Sequence, residues 1–374
     1  MNDEIRPFRI EIPQADVDYL QDRLGNARWP AGLPGAGWER GVPLGYLKDL
    51  AAHWRTGYDW RAAEANLNSY PQFATEIDGQ TIHFLHMRSG MPGATPLLIT
   101  HGFPSSVAEF LLLIEPLVNP AAGQAFHVVA PSLPGYAFST PLASTGWSMF
   151  RTARAWVELM RRLGYQRYGV HGGDVGAGVS GMVASLDGDH VIGMHVVTDP
   201  LTAANTATFL PGMADRLDAG DPVDKLILDR MDAFKREGSG YLAIQQSRPQ
   251  TIGYGLTDSP LLQLAWIAEK VHEWTDLPVD RDQLLTTVSL YWFTGSGVTA
   301  AHTLYEQAHS NDWGQPPSIP QGFAVFGADE TVRKLVLAPL GSHWSEFERG
   351  KHFPAMEAPV QLVADLRAFF GPLR

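Results

Sequence analysis

Residues 167–176 read RYGVHGGDVG, and Ala177–Leu186 continue with small and apolar residues at helical spacing. A short apolar strand, a Gly-rich bend and a small-residue helix together have the form of a nucleophile elbow. In such a turn the chain reverses sharply and one side chain is held, strained and exposed, above a sheet. Glycines flank that residue because a Cβ on either side would collide with the neighbouring strand or helix. The residue at the bend is Asp174, and the N-terminus of the following helix favours its negative charge. Taken alone, the stretch reads equally well as a Gly-rich loop whose aspartate caps a helix.

The flanking sequence places the bend in an alternating pattern. Ile77-Asp78-Gly79 marks a hairpin turn before a strand at Thr81–His86, followed by PLLIT at 96–100, a helix near 106–118, FHVVA at 126–130 and a helix near 148–163. MHVVT at 194–198 follows the elbow helix. Short apolar runs separated by amphipathic helices predict right-handed βαβ units around a buried parallel sheet. From 201 to about 318 only helical signals appear, the clearest being Asp258-Ser259-Pro260 as cap and first turn before LLQLAWIAEKVHEW. Another has Leu284, Val288, Tyr291 and Trp292 on one face. Strand and helix signals resume with FAVF at 323–326, KLVLAP at 334–339 and Pro359–Phe370.

This divides the chain into a helical, irregular wrapping segment (1–75), a core in two pieces (76–200 and 319–374) and a helical insert (201–318). The wrapping segment carries helices at Ala15–Leu24 and from Leu44. The insert reads as a lid over the strand C-termini, the end at which open α/β sheets bind ligands.

Composition narrows the function. The 374 residues hold 28 Lys plus Arg against 40 Asp plus Glu, a formal charge of −12, with no basic run. Nucleic-acid binding is therefore disfavoured. The chain has no cysteine, which removes disulfides, thiol nucleophiles and Cys-ligated metals. No apolar run approaches the roughly 18–20 residues that cross a bilayer. The first residues, MNDEIRPFRIEIP, show no signal-peptide pattern, so the expected compartment is the cytoplasm.

The identity of the elbow residue selects a chemistry. Serine attacking a saturated carbon would leave an ether, which water does not readily cleave. Aspartate leaves an ester, whose carbonyl a second water can attack. An aspartate elbow thus predicts displacement at saturated carbon, as in an epoxide or alkyl halide, and argues against ester or peptide hydrolysis; Ser180 lies six residues into the helix. A base must activate the second water. His352, in Gly350-Lys351-His352-Phe353-Pro354 before the last helix, stands where the order nucleophile, acid, histidine places it, with His343 as the fallback among 13 histidines. The acid is expected at Asp329, directly after FAVFGA, with Glu330 as its rival. His101-Gly102-Phe103-Pro104 follows PLLIT, so the Phe103 and Val175 N–H groups form the expected oxyanion hole. Opening an epoxide also calls for a proton donor. The insert offers Tyr241, Tyr254, Tyr291 and Tyr305, and spacing does not choose among them.

Over essentially its whole length the chain resembles the microsomal-type epoxide hydrolases, including fungal and bacterial soluble members. The resemblance rests on Arg28-Trp29-Pro30, Tyr58-Asp59-Trp60-Arg61, Pro71-Gln72-Phe73, HGFP at 101–104, GGDVG at 172–176, Pro249-Gln250-Thr251, Asp258-Ser259-Pro260, Tyr291-Trp292 and HFPAME at 352–357. It implies an α/β-hydrolase fold with a mostly parallel sheet, a helical lid inserted after the sixth strand and an N-terminal segment that braces the lid. It implies an aspartate nucleophile at Asp174, a base at His352 with its acid at Asp329, and a first lid tyrosine at Tyr241. The family position of the second lid tyrosine falls on Leu304, and Tyr305 one residue later is the candidate. One residue on a helix rotates a side chain by about 100°. Val175 and Lys351 stand where the family commonly has Trp and Gly.

The reading is an epoxide hydrolase that forms a vicinal diol through an alkyl-aspartate ester on an apolar or aromatic epoxide. It implies no metal or organic cofactor, no nucleic acid and no membrane anchor, and a homodimer as in much of the family. A haloalkane dehalogenase and a catalytically inactive binding protein of the same fold are the rival readings.

Overall fold

The computed structural model describes residues 4–312 and 314–373; residues 1–3, Trp313 (inside the expected lid) and Arg374 lie outside the described residues. The described strands are β1 (Arg6–Phe8), β2 (Gln72–Ile77), β3 (Gln80–Met87), β4 (Thr95–Thr100), β5 (Phe126–Pro131), β6 (Tyr168–Gly172), β7 (Val191–Thr198), β8 (Gln321–Phe326) and β9 (His343–Phe347). They form one sheet in the order β1-β2-β3-β5-β4-β6-β7-β8-β9. The first four of these neighbours pair antiparallel, and from β5 to β9 every pairing is parallel. The hairpin between β2 and β3 turns at Asp78 (φ 53°) and Gly79 (φ 75°), the left-handed pair that a two-residue turn between twisted strands requires.

The inner parallel strands are largely apolar because helices cover both faces. Leu97, Leu98, Ile99, Val128, Val129 and Val170 are at most 1% exposed. The helix Met149–Arg162 buries Ala153, Trp156, Leu159 and Met160 on one face, and the final helix Pro359–Phe370 buries Leu362, Leu366, Phe369 and Phe370 on the other side of the sheet. Each such side chain contributes roughly 1.5–3 kcal/mol on leaving water.

The insert is all helix among its described residues, from Pro200–Ala207 to Ser296–Ala308. Ser259 caps the helix Pro260–Trp274 by accepting from the Leu262 N–H (3.2 Å), as its sequence signals. Counting β1, the insert follows the seventh strand. The N-terminal segment extends the sheet through β1 and β2 and braces the insert: Leu20, Leu24, Leu50 and Trp54 share a core with Leu264, Ile267, Leu284 and Val288. The Trp54 indole donates to Ser289 (2.9 Å) and Arg23 pairs with Asp258 (3.2 Å). KLVLAP does not supply the last strand. Its start closes a short helix, Val332–Leu335, and the strand lies further on at His343–Phe347. No helix among the described residues is long and apolar enough to cross a membrane.

The elbow fixes the approach of helix Val175–Leu186 to the sheet. A Cβ on Gly176 would stand 1.9 Å from the Thr100 carbonyl oxygen at the end of β4, and one on Gly172 would stand 2.3 Å from the Gly176 carbonyl oxygen. Both obstacles are backbone, which cannot swing aside. Gly176→Ala should therefore lower stability by about 3 kcal/mol, at the upper end for overpacking, in urea unfolding.

Candidate active site

Asp174 sits at φ 53°, ψ −127°, a sparsely populated conformation for a non-glycine residue, of the kind that concentrates at functional sites. The bend lifts its carboxylate off the C-terminal end of β6 toward the insert. Oδ1 accepts from the Phe103 N–H (2.8 Å). Val175 opens the following helix, so its N–H has no acceptor within that helix. Of the two expected oxyanion-hole N–H groups, that of Phe103 thus meets the carboxylate and that of Val175 directly follows it in the chain.

His352 approaches from the loop before the final helices. Its Nε2 lies 3.6 Å from Asp174 Oδ2, and its side chain is 9% exposed. The insert holds it there: the Trp274 carbonyl accepts from the His352 N–H (3.1 Å), and the Trp274 ring lies 4.8 Å from the imidazole. On the far side, Nδ1 lies 2.8 Å from the Thr202 hydroxyl and 3.7 Å from Asp199 Oδ2. The Thr202 hydroxyl in turn donates to Asp199 Oδ2. Asp199 also caps helix Pro200–Ala207 by accepting from the Leu201 and Thr202 N–H groups.

The carboxylate on His352 is therefore Asp199 and not Asp329. Asp329 is held by Arg230 (2.7 Å) and by the Thr331 N–H (2.9 Å) and hydroxyl (2.5 Å). It stands beyond β8, two strands from the elbow, whereas Asp199 ends β7, the strand next to β6. Adjacent strands lie about 4.8 Å apart, so the nearer strand end presents the nearer carboxylate. Glu330 is exposed. His343, the fallback base, is bonded to Asp365 (2.8 Å) in a cluster with His195. Asp199 carries the signal used for Asp329, an acidic residue directly after a strand, here MHVVT at 194–198.

Burial disfavours the charged form of His352, yet the Asp199 side chain and the Asp174 charge outweigh it, and its pKa is raised. Burial likewise opposes ionisation of Asp199, and its bonds with His352 and Thr202 reverse that, so its pKa is lowered. A third carboxyl, missed in the sequence, is Glu109. It is buried in the short helix after HGFP, and burial pushes its pKa up to about 7, with Ser105 and His352 opposing and Asp174 reinforcing.

The expected donors separate. Tyr241 lies over the site: its ring stacks on Phe103 (5.8 Å, 6°) and meets Trp274 edge-on (5.5 Å). Burial, and then the Asp174 charge, push its phenol well above the usual value. Tyr305 does not reach the site. Its ring stacks on His309 one turn along its own helix (4.0 Å), and Leu304 is the residue that faces inward. Leu304 lines a cavity of about 60 Å3 with Val175, Tyr136, Trp147, Met149 and Thr303 among others. The helix simply continues through the one-residue offset, with no bulge to turn Tyr305 back. Tyr254 is 69% exposed, and the Tyr291 hydroxyl donates to the Ser105 carbonyl (3.0 Å).

Residues 5–110 match the family described as epoxide hydrolase N terminus, and residues 95–260 the family described as alpha/beta hydrolase fold. A Stigmatella aurantiaca protein, named provisionally as an epoxide hydrolase, is 42% identical over 99% of this chain and 86% of its own. Epoxide hydrolase 1 of Sus scrofa is 33% identical over 100% of this chain and 90% of its own. Among solved structures, Aspergillus niger epoxide hydrolase superposes with a TM-score of 0.84 at 30% identity, covering 99% of this chain and 97% of that one. Juvenile hormone epoxide hydrolase from Bombyx mori gives 0.85 at 30%, covering 99% and 95%.

If Asp199 sustains the raised pKa of His352, Asp199→Asn should move the His352 titration to lower pH, because the neutral amide no longer favours imidazolium. Asp329→Asn should leave it in place. NMR of the labelled imidazole checks both.

Proposed function

We propose that this chain, which belongs to the epoxide hydrolase family, converts an epoxide and water to a vicinal diol through an ester on Asp174. The observation that carries this is the aspartate at the elbow with an imidazole nitrogen 3.6 Å from its free oxygen. A carboxylate held at that point can attack a saturated carbon, and the imidazole stands close enough to take a proton from water attacking the resulting ester.

The substrate enters between sheet and insert, against the apolar and aromatic surfaces of Phe103, Trp274, Val175 and Leu304. Asp174 Oδ2 attacks one ring carbon, the carbon–oxygen bond breaks, and the ring oxygen takes a proton from a phenol above it, one of which is Tyr241. Water then attacks the ester carbonyl. His352 removes its proton, and the developing oxyanion rests on the Phe103 N–H, which already meets Oδ1, and on the Val175 N–H. Asp199, through Thr202 and directly, is the positioning residue that holds the imidazole tautomer and its charge. Every group in this sequence belongs to the chain itself.

His352→Ala should let the ester form and then halt, with kcat reduced about 10³-fold or more. Intact-protein mass should show enzyme plus one substrate. In single turnovers in heavy-oxygen water the wild type should place label in the Asp174 peptide. Normal turnover by His352→Ala, or label passing straight into the diol, refutes the covalent route, and halide release from a bromoalkane without diol from styrene oxide refutes the substrate class.

A further inference from the structure

Epoxide opening by a carboxylate leaves the ring oxygen as an alkoxide, the conjugate base of an alcohol about as weakly acidic as water. Two donors converging on that oxygen stabilise it far better than one, since charge develops there in the transition state. The insert supplies Tyr241. Its other described tyrosines are spoken for: Tyr305 is stacked outward, Tyr254 is exposed and Tyr291 is bonded to a backbone carbonyl.

The core side of the cavity holds another phenol. Tyr136 lies in the loop after β5, where its N–H donates to the Leu133 carbonyl (2.9 Å). Its ring is wedged edge-on between His101 (5.3 Å) and Tyr291 (6.1 Å), which leaves it little freedom to turn. It is 1% exposed, and its hydroxyl makes no hydrogen bond of good geometry, with the Thr303 side chain close enough to act on the phenol. The neighbouring Thr303 hydroxyl gives its own proton to the Ala300 carbonyl (2.8 Å). An unpaired buried hydroxyl costs about 1–3 kcal/mol, a penalty that a bound acceptor oxygen would remove. Tyr136 lines the same cavity as Val175 and Leu304, and it lies within electrostatic reach of both the Asp174 carboxylate and the Tyr241 phenol.

We propose that Tyr136, from the core, and not Tyr305, from the insert, is the second catalytic phenol, donating to the epoxide oxygen beside Tyr241. Leu304 occupies the place that a second insert tyrosine would take, and Tyr136 faces it across the cavity. Burial pushes the Tyr136 phenol above its ordinary value, so it stays protonated before reaction yet remains a stronger acid than the alcohol it creates. The Asp174 oxygen–carbon bond forms and the ring carbon–oxygen bond breaks. The electron pair of the broken bond takes a phenol proton, leaving a phenolate. In the hydrolytic half-reaction one proton of the attacking water ends on the second diol oxygen and the other returns to the phenolate.

This assignment rests on the epoxide hydrolase reading, and its test separates the two. Wild-type enzyme must first give diol from styrene oxide; failure there overturns the reading of function and this assignment with it. Given activity, Tyr136→Phe, Tyr241→Phe and Tyr305→Phe are compared in single turnovers that resolve ester formation from ester hydrolysis. Tyr136→Phe should slow ester formation about 10²-fold and leave hydrolysis of the formed ester unchanged, a split that a merely structural loss would not produce. Tyr305→Phe should change neither step more than about twofold. The double variant Tyr136→Phe/Leu304→Tyr, which returns a phenol from the insert side, should recover part of the lost rate. The assignment falls if Tyr136→Phe forms ester at the wild-type rate, if both steps fall together without rescue by the double variant, or if Tyr305→Phe carries the loss.

Discussion

The close approach of two backbone segments at the C-terminal ends of β4 and β6 is the constraint on which the site depends. A Cβ on Gly102 would fall 2.4 Å from the Asp174 Cβ, and one on Gly176 would fall 1.9 Å from the Thr100 carbonyl oxygen. Only because both side chains are absent can the HGFP loop and the elbow touch, and that contact brings the Phe103 N–H within 2.8 Å of the Asp174 carboxylate. The same approach forces Asp174 to positive φ, at about 1–3 kcal/mol of strain, which the packed helix Val175–Leu186 and the flanking strands hold in place. In the proposed mechanism, nucleophile, oxyanion donors and the direction of attack are thus set by one piece of backbone geometry.

Electrostatics around the imidazole supplies an order of events. In the free enzyme His352 lies between two carboxylates, Asp174 and Asp199, and both favour its protonated form against the effect of burial. A protonated imidazole cannot act as a base. Forming the ester converts Asp174 from an anion into a neutral group and removes one of the two charges that hold the proton. The pKa of His352 therefore drops when the ester appears, and the base becomes competent at the stage that needs it. Asp199 remains to steady the imidazolium formed when water is deprotonated.

What could be read from the residues divides along physical lines. Tyr241 was singled out only by the family resemblance, whereas the elbow, the oxyanion loop and His352 were legible because each is encoded locally, by glycines that permit a bend or by a position next to a strand or helix end. The partner of His352 was not, since Asp199 and Asp329 both follow a strand. Only the order β6-β7-β8 and the grip of Arg230 on Asp329 decide between them. KLVLAP misled for a related reason: its apolar run is partly consumed by a short helix, and the half-exposed edge strand His343–Phe347 has too little hydrophobicity to announce itself. Tyr136 gave no signal at all, because an unpaired hydroxyl is a property of the assembled cavity.

Placing one oxygen donor on the core and one on the insert has a mechanical consequence. Tyr136 is tied to the sheet through the loop after β5, so its distance from Asp174 is set by the same strands that build the elbow. Tyr241 rides on the helical insert, whose position relative to the sheet is held by the N-terminal segment through Arg23–Asp258 and Trp54–Ser289 and by the Trp274 carbonyl on the His352 N–H. Among its described residues the insert has no strand in the sheet to fix it, which gives the N-terminal helices their purpose: they hold a phenol and the Trp274 wall at a working distance. A donor on the core thus keeps half of the oxygen recognition in register with the nucleophile, independent of how the insert is held.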